Sequence, residues 1–316
     1  MSDYVQTHCQ YSYFKVGEAW TILSDIEQSI KQKVESVGTP LKDWDIEIYR
    51  GVLTGYNEAF IISSETREAI LDNCKSHEER QRTEEIIRPI LRGRDIRRYS
   101  YDWASLYLIW VPWHFPLHQD QSIQGASTEA EQAFLEQYPS VYHHLLQYKD
   151  KLSARNRAET GIRYEWYALQ RWGSNYWDLL SQPKIIWGEI SDKSKFCIDR
   201  LGEFAPEATT FMLSGDNLLY LLAFLNCSIS EYLFSTIGTT TGVGTVRWKK
   251  YKILELPIPR YDTSKLYTDL INACKNAVET HEATTIYEKR INSIIYQIYG
   301  LTEDEIGYIE WFTHGK

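Results

Sequence analysis

The chain has 316 residues, of which 43% are hydrophobic and 24% charged, a composition typical of a globular protein rather than of a disordered or collagen-like one. The sequence holds no apolar run of the roughly 18 to 20 residues that a membrane span needs and no secretion signal, so we expect a cytoplasmic protein without a membrane partner. The five cysteines are an odd number without a C-x-x-C pair, and each is expected to be a buried apolar residue. The adjacent His143 and His144 point to different faces of a helix, so we predict no metal site.

The net charge of −9 at first argues against nucleic acid as a partner, but the charge is unevenly distributed. Residues 80–260 contain 22 basic and 20 acidic side chains, whereas both flanking regions are acidic. The basic side chains of this middle region include three clusters, namely Arg88, Arg92, Arg94, Arg97 and Arg98; Lys149, Lys151, Arg155, Arg157 and Arg163; and Arg247, Lys249, Lys250 and Lys252. Since DNA binding requires local rather than overall positive charge, the clusters favour a nucleic-acid partner. The alternative is that each cluster is an ordinary solvated surface.

The spacing of apolar residues predicts the secondary structure. The expected elements are, in chain order, an amphipathic helix over residues 18–37, extended segments over 44–62, a helix over 78–91, a strand over 106–111, a helix from 128, a helix over 140–152, strands over 184–190, 196–199 and 209–213, a long apolar helix over 216–229, and two helices plus a short third one after residue 260. Gly51 and Gly55 interrupt the extended segments, and a Thr302–Glu305 capping box begins the last helix. The mixture of strands and helices predicts an α/β or α+β fold.

Known catalytic motifs are absent from the sequence. There is no nucleophile elbow, no P-loop lysine and no H-E-x-x-H, and Gly242 and Gly244 lack the further glycine and the helix of a dinucleotide site. No Pro-Pro pair exists, which excludes the Asn/Asp-Pro-Pro-Tyr/Phe motif of amino-methyltransferases. We therefore predict no catalytic residue in this chain.

Three segments together resemble a known family. They are residues 49–62 (YRGVLTGYNEAFII), residues 87–99 (IRPILRGRDIRRY), and residues 224–229 (FLNCSI) followed by a Gly/Thr loop, residues 247–250 (RWKK) and residues 256–259 (LPIP). In this order and spacing they are similar to the TaqI-like C-terminal specificity domain, the target recognition domain of type IIG restriction-modification enzymes and adenine-specific DNA methyltransferases, including those of BREX phage defence. The resemblance covers about residues 18–310.

The resemblance implies a module that reads a short double-stranded DNA sequence for methyltransferase and endonuclease regions, in cis or in trans. S-adenosylmethionine and Mg²⁺ are then expected in those catalytic regions and no cofactor in this chain, which is either a fragment of a larger enzyme or a separate specificity subunit. The expected segments are a tail with a connecting helix (1–40), a target recognition domain of mixed sheet and helices (41–260) and a C-terminal helical appendage (261–316), with the boundary marked by Pro257 and Pro259.

The candidate DNA-binding residues are Asn57, Arg92, Arg94, Arg97, Arg98, Arg155, Arg157, Arg163, Trp166, Arg171, Arg247, Lys249 and Lys250. Arginine suits phosphate and the guanine edge, whereas lysine mainly provides a point charge for phosphate. Several have a structural alternative. For Arg94 it is an internal ion pair with Asp95, for Asn57 the capping of a turn, and for the aromatic cluster of Tyr164, Trp166, Tyr167, Trp172, Tyr176 and Trp177 it is packing in the core. The loop at 238–245 is either a close approach to DNA or a flexible tip.

A second functional hypothesis is a protein-interaction subunit. In this interpretation the helices at 18–37 and 266–298 dock a separate methyltransferase, and contacts with DNA are incidental. An independent enzymatic activity has no named residues to support it.

Overall fold

The computed structural model describes residues 23–171, 178–237, 239–240, 246–280 and 284–314. The α-helices are α1 (Asp25–Val37), α2 (Asn57–Phe60), α3 (Ser64–Asp72), α4 (His77–Ile86), α5 (Thr128–Gln137), α6 (Pro139–Leu146), α7 (Lys149–Ala154), α8 (Leu218–Leu225), α9 (Ser228–Ile237), α10 (Lys250–Ile253), α11 (Lys265–Glu279), α12 (Thr284–Ile298) and α13 (Glu303–His314). The strands are β1 (Thr39–Pro40), β2 (Ile46–Arg50), β3 (Ile61–Ser63), β4 (Ile87–Leu91), β5 (Leu106–Ile109), β6 (Lys184–Gly188), β7 (Ile190–Ser191), β8 (Phe196–Asp199), β9 (Ala205–Pro206), β10 (Thr210–Gly215), β11 (Thr239–Thr240), β12 (Val246–Arg247) and β13 (Pro257–Ile258).

Two four-stranded sheets form the framework. The central sheet has the order β2-β10-β6-β8 and is antiparallel throughout. The second sheet has the order β3-β5-β4-β9, in which β4 and β9 are parallel. Short pairings join β11-β12-β7 and β1-β13. The strands and helices are intermixed along the chain, as the predicted α/β class requires.

Both faces of the central sheet are buried, each in a different hydrophobic core. Alternate residues of β6 divide between them, since Ile185 and Trp187 lie in the first core and Ile186 lies in the second. Side chains of a strand alternate between faces, so a strand covered on both sides reads as a continuous apolar run. This explains why the sequence of β6 shows no polar alternation.

The first core joins the central sheet to helices from both ends of the chain. The apolar stripe of α1 contributes Ile30 and Val34, and the C-terminal helices contribute Leu270, Ile291 and Ile309. The helices after residue 260 therefore share a core with the central sheet. The second core lies between the second sheet and α5–α7, where aromatic side chains such as Phe134 and Tyr167 pack closely.

Three of the predicted helices are wrong in extent. The predicted helix over 78–91 ends at Ile86, and the chain continues as β4, because Pro89 breaks a helix interior and the strand pairs with β5 and β9. The predicted long helix over 216–229 is two helices, α8 and α9, interrupted at residues 226–227. The predicted helix over 140–152 is likewise two helices, α6 and α7. The Thr302–Glu305 capping box is confirmed, with the Thr302 backbone N–H donating to Glu305 Oε2 at 2.7 Å.

The described cysteines are unpaired, with Cys197, Cys227 and Cys274 buried and Cys74 half-buried. Among the described helices, none alone has the length and apolar character of a membrane span. Residues 218–225 and 228–235 would meet that test only as a pair, and they are bent by 59° relative to each other.

A buried ion pair joins β6 to β8, an edge strand of the central sheet. Lys184 Nζ lies 2.7 Å from Asp199 Oδ2, across the β6–β8 register, and the two side chains are 0% and 3% exposed. We expect Lys184→Met to lower the free energy of unfolding by about 3–5 kcal/mol, because the variant leaves a buried carboxylate without its counter-charge. Urea denaturation measures this loss. The exposed Lys31 is the control, since Lys31→Met should change stability by no more than about 0.5 kcal/mol; equal losses in both variants would contradict the assignment.

Glu305 joins α1 to α13. It accepts hydrogen bonds from Lys33 Nζ at 2.7 Å, Ser29 Oγ at 2.6 Å and the Thr302 backbone N–H. Desolvation raises the pKa of Glu305, but these hydrogen bonds outweigh it and lower the pKa from 4.5 to about 2. The depressed pKa means that the ionised form stabilises the fold above pH 4.5 and that this contribution disappears as pH falls towards 2. Glu305→Gln should therefore cost about 2 kcal/mol at pH 6, and the difference from the unmodified protein should shrink in denaturation curves taken between pH 4.5 and 2.

Candidate nucleic-acid interface

A groove of about 550 Å³ lies at the edge of the central sheet where β6 ends and β10 begins, and we call it the basic groove. It is lined by Gly93, Arg94, Ile96, Arg97, Gly188, Glu189, Ile190, Ser191, Asp192, Lys195, Thr209 and Arg247. These residues come from the turn after β4, the end of β6 with β7, the residues before β8 and β10, and β12. The lining includes four basic and two acidic side chains, so its charge is positive in a chain whose overall charge is −9.

Glycines allow the close packing that builds this edge. A Cβ on Gly188 would lie 3.3 Å from the Gly93 Cα, so the turn after β4 rests directly against the end of β6. A Cβ on Gly51 would lie 2.1 Å from the Glu207 carbonyl oxygen, which no side chain permits. Gly55 has φ +76°, the left-handed region that favours glycine. The glycines of the first two family-like segments thus permit close packing and a turn.

Four basic side chains face the basic groove. Arg94 is exposed, and its guanidinium has no hydrogen bond or ion pair within the part of the chain that the structure describes. Arg97 is 48% exposed and pairs with Asp102 at 2.9 Å. Lys195 pairs with Asp192 at 2.6 Å, three residues away. Arg247 is 44% exposed and pairs with Glu189 at 3.3 Å.

Arg50, at the end of β2, extends this surface. Its guanidinium lies 3.1 Å from Glu189 and donates to the Ala208 carbonyl oxygen at 2.8 Å. Glu189 therefore joins Arg50 to Arg247. Sequence reasoning missed Arg50, Glu189 and Lys195 as site residues. For Arg50 a signal existed, since it lies in the first family-like segment.

Two arginines of the first cluster are paired inside the fold. Arg92 forms a two-pronged contact with Asp95, at 2.9 and 2.7 Å. The internal partner of Asp95 is thus Arg92, and the alternative pairing of Arg94 with Asp95 is wrong. Desolvation raises the pKa of Asp95, but the hydrogen bonds from Arg92 outweigh it and lower the pKa below its usual value.

Arg98 turns away from the basic groove. Its side chain is 18% exposed and contacts Glu231 and the Ser194 hydroxyl, each at 2.7 Å, and Glu288 at 3.7 Å. Arg92 and Arg98 consequently hold the turns from which Arg94 and Arg97 project. As DNA contacts, all four remain predictions.

The second basic cluster lies on the second core rather than in the basic groove. Arg155 donates to the backbone carbonyl oxygens of Thr54, Trp166 and Ala168, and burial lowers its pKa to about 10. Trp166 is only 7% exposed and donates to Glu131 at 2.7 Å. These internal contacts leave the two side chains little capacity for a ligand.

The remaining candidates of this region are at the surface. Arg157, Arg163 and Arg171 are all exposed, and Arg163 pairs with Glu159 at 2.9 Å. The Arg171 backbone bridges to Leu53, three residues after Arg50, so the segment following β2 connects this cluster with the basic groove. Tyr164 and Tyr167 are core residues, which confirms that interpretation for them, while Trp172, Tyr176 and Trp177 lie outside the described residues.

Lys250, Lys249 and Asn57 have specific local contacts. Lys250 Nζ donates to the Ile48 carbonyl oxygen at 2.7 Å, and Lys249 lies 5.9 Å from the ring of the exposed Tyr251. Asn57 begins α2, and its Oδ1 accepts a hydrogen bond from Thr54 Oγ1 at 2.6 Å, which agrees with the turn-capping alternative. Residues 238 and 241–245 of the Gly/Thr loop lie outside the described residues.

Comparison with known proteins gives a consistent result. The model of the TaqI-like C-terminal specificity domain matches residues 88–258, more than half of the chain. The type II methyltransferase M.MjaIV of Methanocaldococcus jannaschii is 22% identical over 258 residues, which are 78% of this chain and 76% of that protein.

Two solved structures are also similar. The type IIL restriction-modification enzyme MmeI in complex with DNA has a TM-score of 0.54 at 11% identity, over 86% of this chain and 35% of that one. The type IIG restriction endonuclease BpuSI has a TM-score of 0.48 at 13% identity, over 87% of this chain and 33% of that one. The chain thus spans about a third of the length of each solved enzyme. The similarity to MmeI shows a shared fold, as the sequence predicted.

The hydrogen bonds distinguish arginines that stabilise the fold, such as Arg155, from exposed ones, such as Arg94. We expect Arg155→Ala to lower the free energy of unfolding by about 3 kcal/mol, because buried carbonyl oxygens lose a charged donor. Arg94→Ala, which removes no hydrogen bond or ion pair seen in the described part of the chain, should change it by no more than about 0.5 kcal/mol. Urea unfolding monitored by tryptophan fluorescence checks both values, and an Arg94 variant as unstable as the Arg155 variant would contradict the assignment.

Proposed function

The chain belongs to the family of TaqI-like C-terminal specificity domains, and on that premise we propose that it recognises a short sequence of double-stranded DNA for a restriction-modification methyltransferase. The observation that supports this best is the basic groove, where Arg94, Arg97, Lys195 and Arg247 converge from distant parts of the chain. Arg50 adds a fifth basic side chain at its border.

The chemistry of the basic groove suits a duplex. Guanidinium groups bind phosphate through two parallel hydrogen bonds, and they also fit the O6 and N7 edge of guanine. Exposed arginines that already lie near carboxylates exchange those contacts for phosphate at small cost, because exposed ion pairs are weak. Arg94, which is exposed and has no ion pair among the described residues, is the best placed for a first phosphate contact.

The catalytic steps are assigned to other regions in this proposal. Methyl transfer and cleavage would belong to methyltransferase and endonuclease regions, in the same polypeptide or in a partner, and S-adenosylmethionine and Mg²⁺ would bind there. The present chain would supply the sequence recognition.

Docking of a partner through α1, α11 and α12 has less support. The apolar stripes of these helices are occupied, since Ile30, Val34, Leu270 and Ile294 are all buried in the first core. A partner that used these stripes would have to displace the central sheet. A docking surface on these helices would have to use their outward faces, where Val37 and Ile286 are exposed.

Substitution in the basic groove tests the proposal with the complete chain. Arg94→Ala and Arg247→Ala should each weaken duplex binding about 10-fold, since each removes a charged hydrogen bond. Each should also reduce the slope of log K against log salt by about 0.9, because one fewer counterion is released. Fluorescence anisotropy at a series of salt concentrations measures both quantities.

Arg80→Ala is the matched control. Arg80 lies on α4, at the far end of β4 from the basic groove, and pairs with Glu68, Asp72 and Glu84. This variant should bind DNA as the unmodified chain does. The proposal fails if the unmodified chain, joined to its methyltransferase, enriches no motif from random duplexes and does not bind at low salt.

A further inference from the structure

A carboxylate lies within a groove that otherwise attracts phosphate. The Glu189 side chain is 15% exposed and lies between Arg50, at 3.1 Å, and Arg247, at 3.3 Å. It neutralises part of their charge and repels any phosphate that approaches them. A surface that bound only the DNA backbone would bind more tightly without this residue, so phosphate binding does not account for Glu189.

The position of Glu189 is rigid. Its backbone N–H donates to the Thr209 carbonyl oxygen at 2.9 Å, and its carbonyl oxygen accepts from the Trp248 N–H at 2.7 Å. The preceding Gly188 packs against Gly93. Side chains that discriminate between ligands are held in this way, because small displacements remove the selectivity of a hydrogen bond.

The carboxylate retains capacity for another donor. One arginine N–H reaches Oε2 and one reaches Oε1, whereas a carboxylate offers about four lone-pair sites. In the major groove of DNA the hydrogen-bond donors are the exocyclic amino groups of cytosine (N4) and adenine (N6). The other major-groove polar atoms, which include the guanine O6 and N7 and the thymine O4, are acceptors and repel a carboxylate.

Resting on the proposed function, we propose that Glu189 is a specificity-determining residue that accepts a hydrogen bond from the amino group of one cytosine or adenine. At a correct site the amino group satisfies the carboxylate while Arg50 and Arg247 move to phosphate. At an incorrect site Glu189 is desolvated against an acceptor or a phosphate. The residue thus weakens binding to all duplexes and restores it at one kind of base pair.

The experiment selects binding sites from random duplexes with the full polypeptide and its variants. The unmodified chain should enrich a motif in which one position admits a single base pair in a single orientation, with its cytosine or adenine on one defined strand. Glu189→Ala should lose the preference at that position alone and bind random duplexes several-fold more tightly. Glu189→Gln separates the two bases, because glutamine contacts adenine through both N6 and N7 but cytosine through N4 alone: the preference survives if the base is adenine and weakens if it is cytosine.

Glu68→Ala is the matched control. Glu68 lies on α3 between two arginines, Arg67 at 2.6 Å and Arg80 at 3.7 Å, and does not line the basic groove. This variant should enrich the motif of the unmodified chain. Thermal denaturation of all four proteins confirms that they are folded.

A base analogue that lacks the amino group gives a second, independent measurement. Placing 2-pyrimidinone for cytosine, or purine for adenine, at the selected position should weaken binding of the unmodified chain by about 5- to 150-fold. The same replacement should leave binding of the Glu189→Ala variant unchanged. The inference is overturned if Glu189→Ala retains every base preference of the unmodified chain, whereas absence of any motif for the unmodified chain overturns the proposed function itself.

Discussion

The burial of both faces of the central sheet is the constraint on which the rest of the molecule depends. β10 is antiparallel to both β2 and β6, so these two strands run in the same direction and end at the same edge. Phe211 of β10 lies opposite both Arg50 and Trp187. A slip of one residue would exchange the side chains of the two cores, and the register is therefore strongly specified. That register places Arg50 beside Glu189.

The loops at this edge are fixed by arginines that point inwards. Arg92 closes the turn after β4 onto Asp95, and Arg98 joins Ser194 to Glu231 of α9. Between them Arg94 and Arg97 project outwards, and Lys195 follows the buried Ser194. A single run of arginines thus has two roles: Arg92 and Arg98, at its ends, bind the chain to itself and hold in place the exposed Arg94 and Arg97 between them. Removing Arg92 and Arg98 would loosen the groove without altering its exposed charges.

The class of fold and the location of most elements could be predicted from apolar periodicity, but contacts between distant segments could not. Pro89 signals the end of α4, yet the assignment of residues 87–91 to a strand depends on β5 and β9, which are remote in sequence. For the site, residue type identified Arg94 and Arg247 as candidates. It did not separate them from Arg155, whose burial follows from the second core. Glu189 could not be predicted as a site residue, because its role depends on the contacts with Arg50 and Arg247, which are remote in sequence.

The negative net charge of the chain is compatible with a positive groove, because electrostatic interactions in salt solution are short-ranged. At physiological ionic strength exposed charges are screened beyond about 8 Å, so a phosphate in the groove would interact mainly with the charges that line it. Inside the groove the two carboxylates, Glu189 and Asp192, are each paired with a basic side chain. The lining would therefore attract a DNA backbone only moderately. A specificity domain benefits from this moderation, since strong attraction for every phosphate would reduce the fraction of binding energy that depends on the bases.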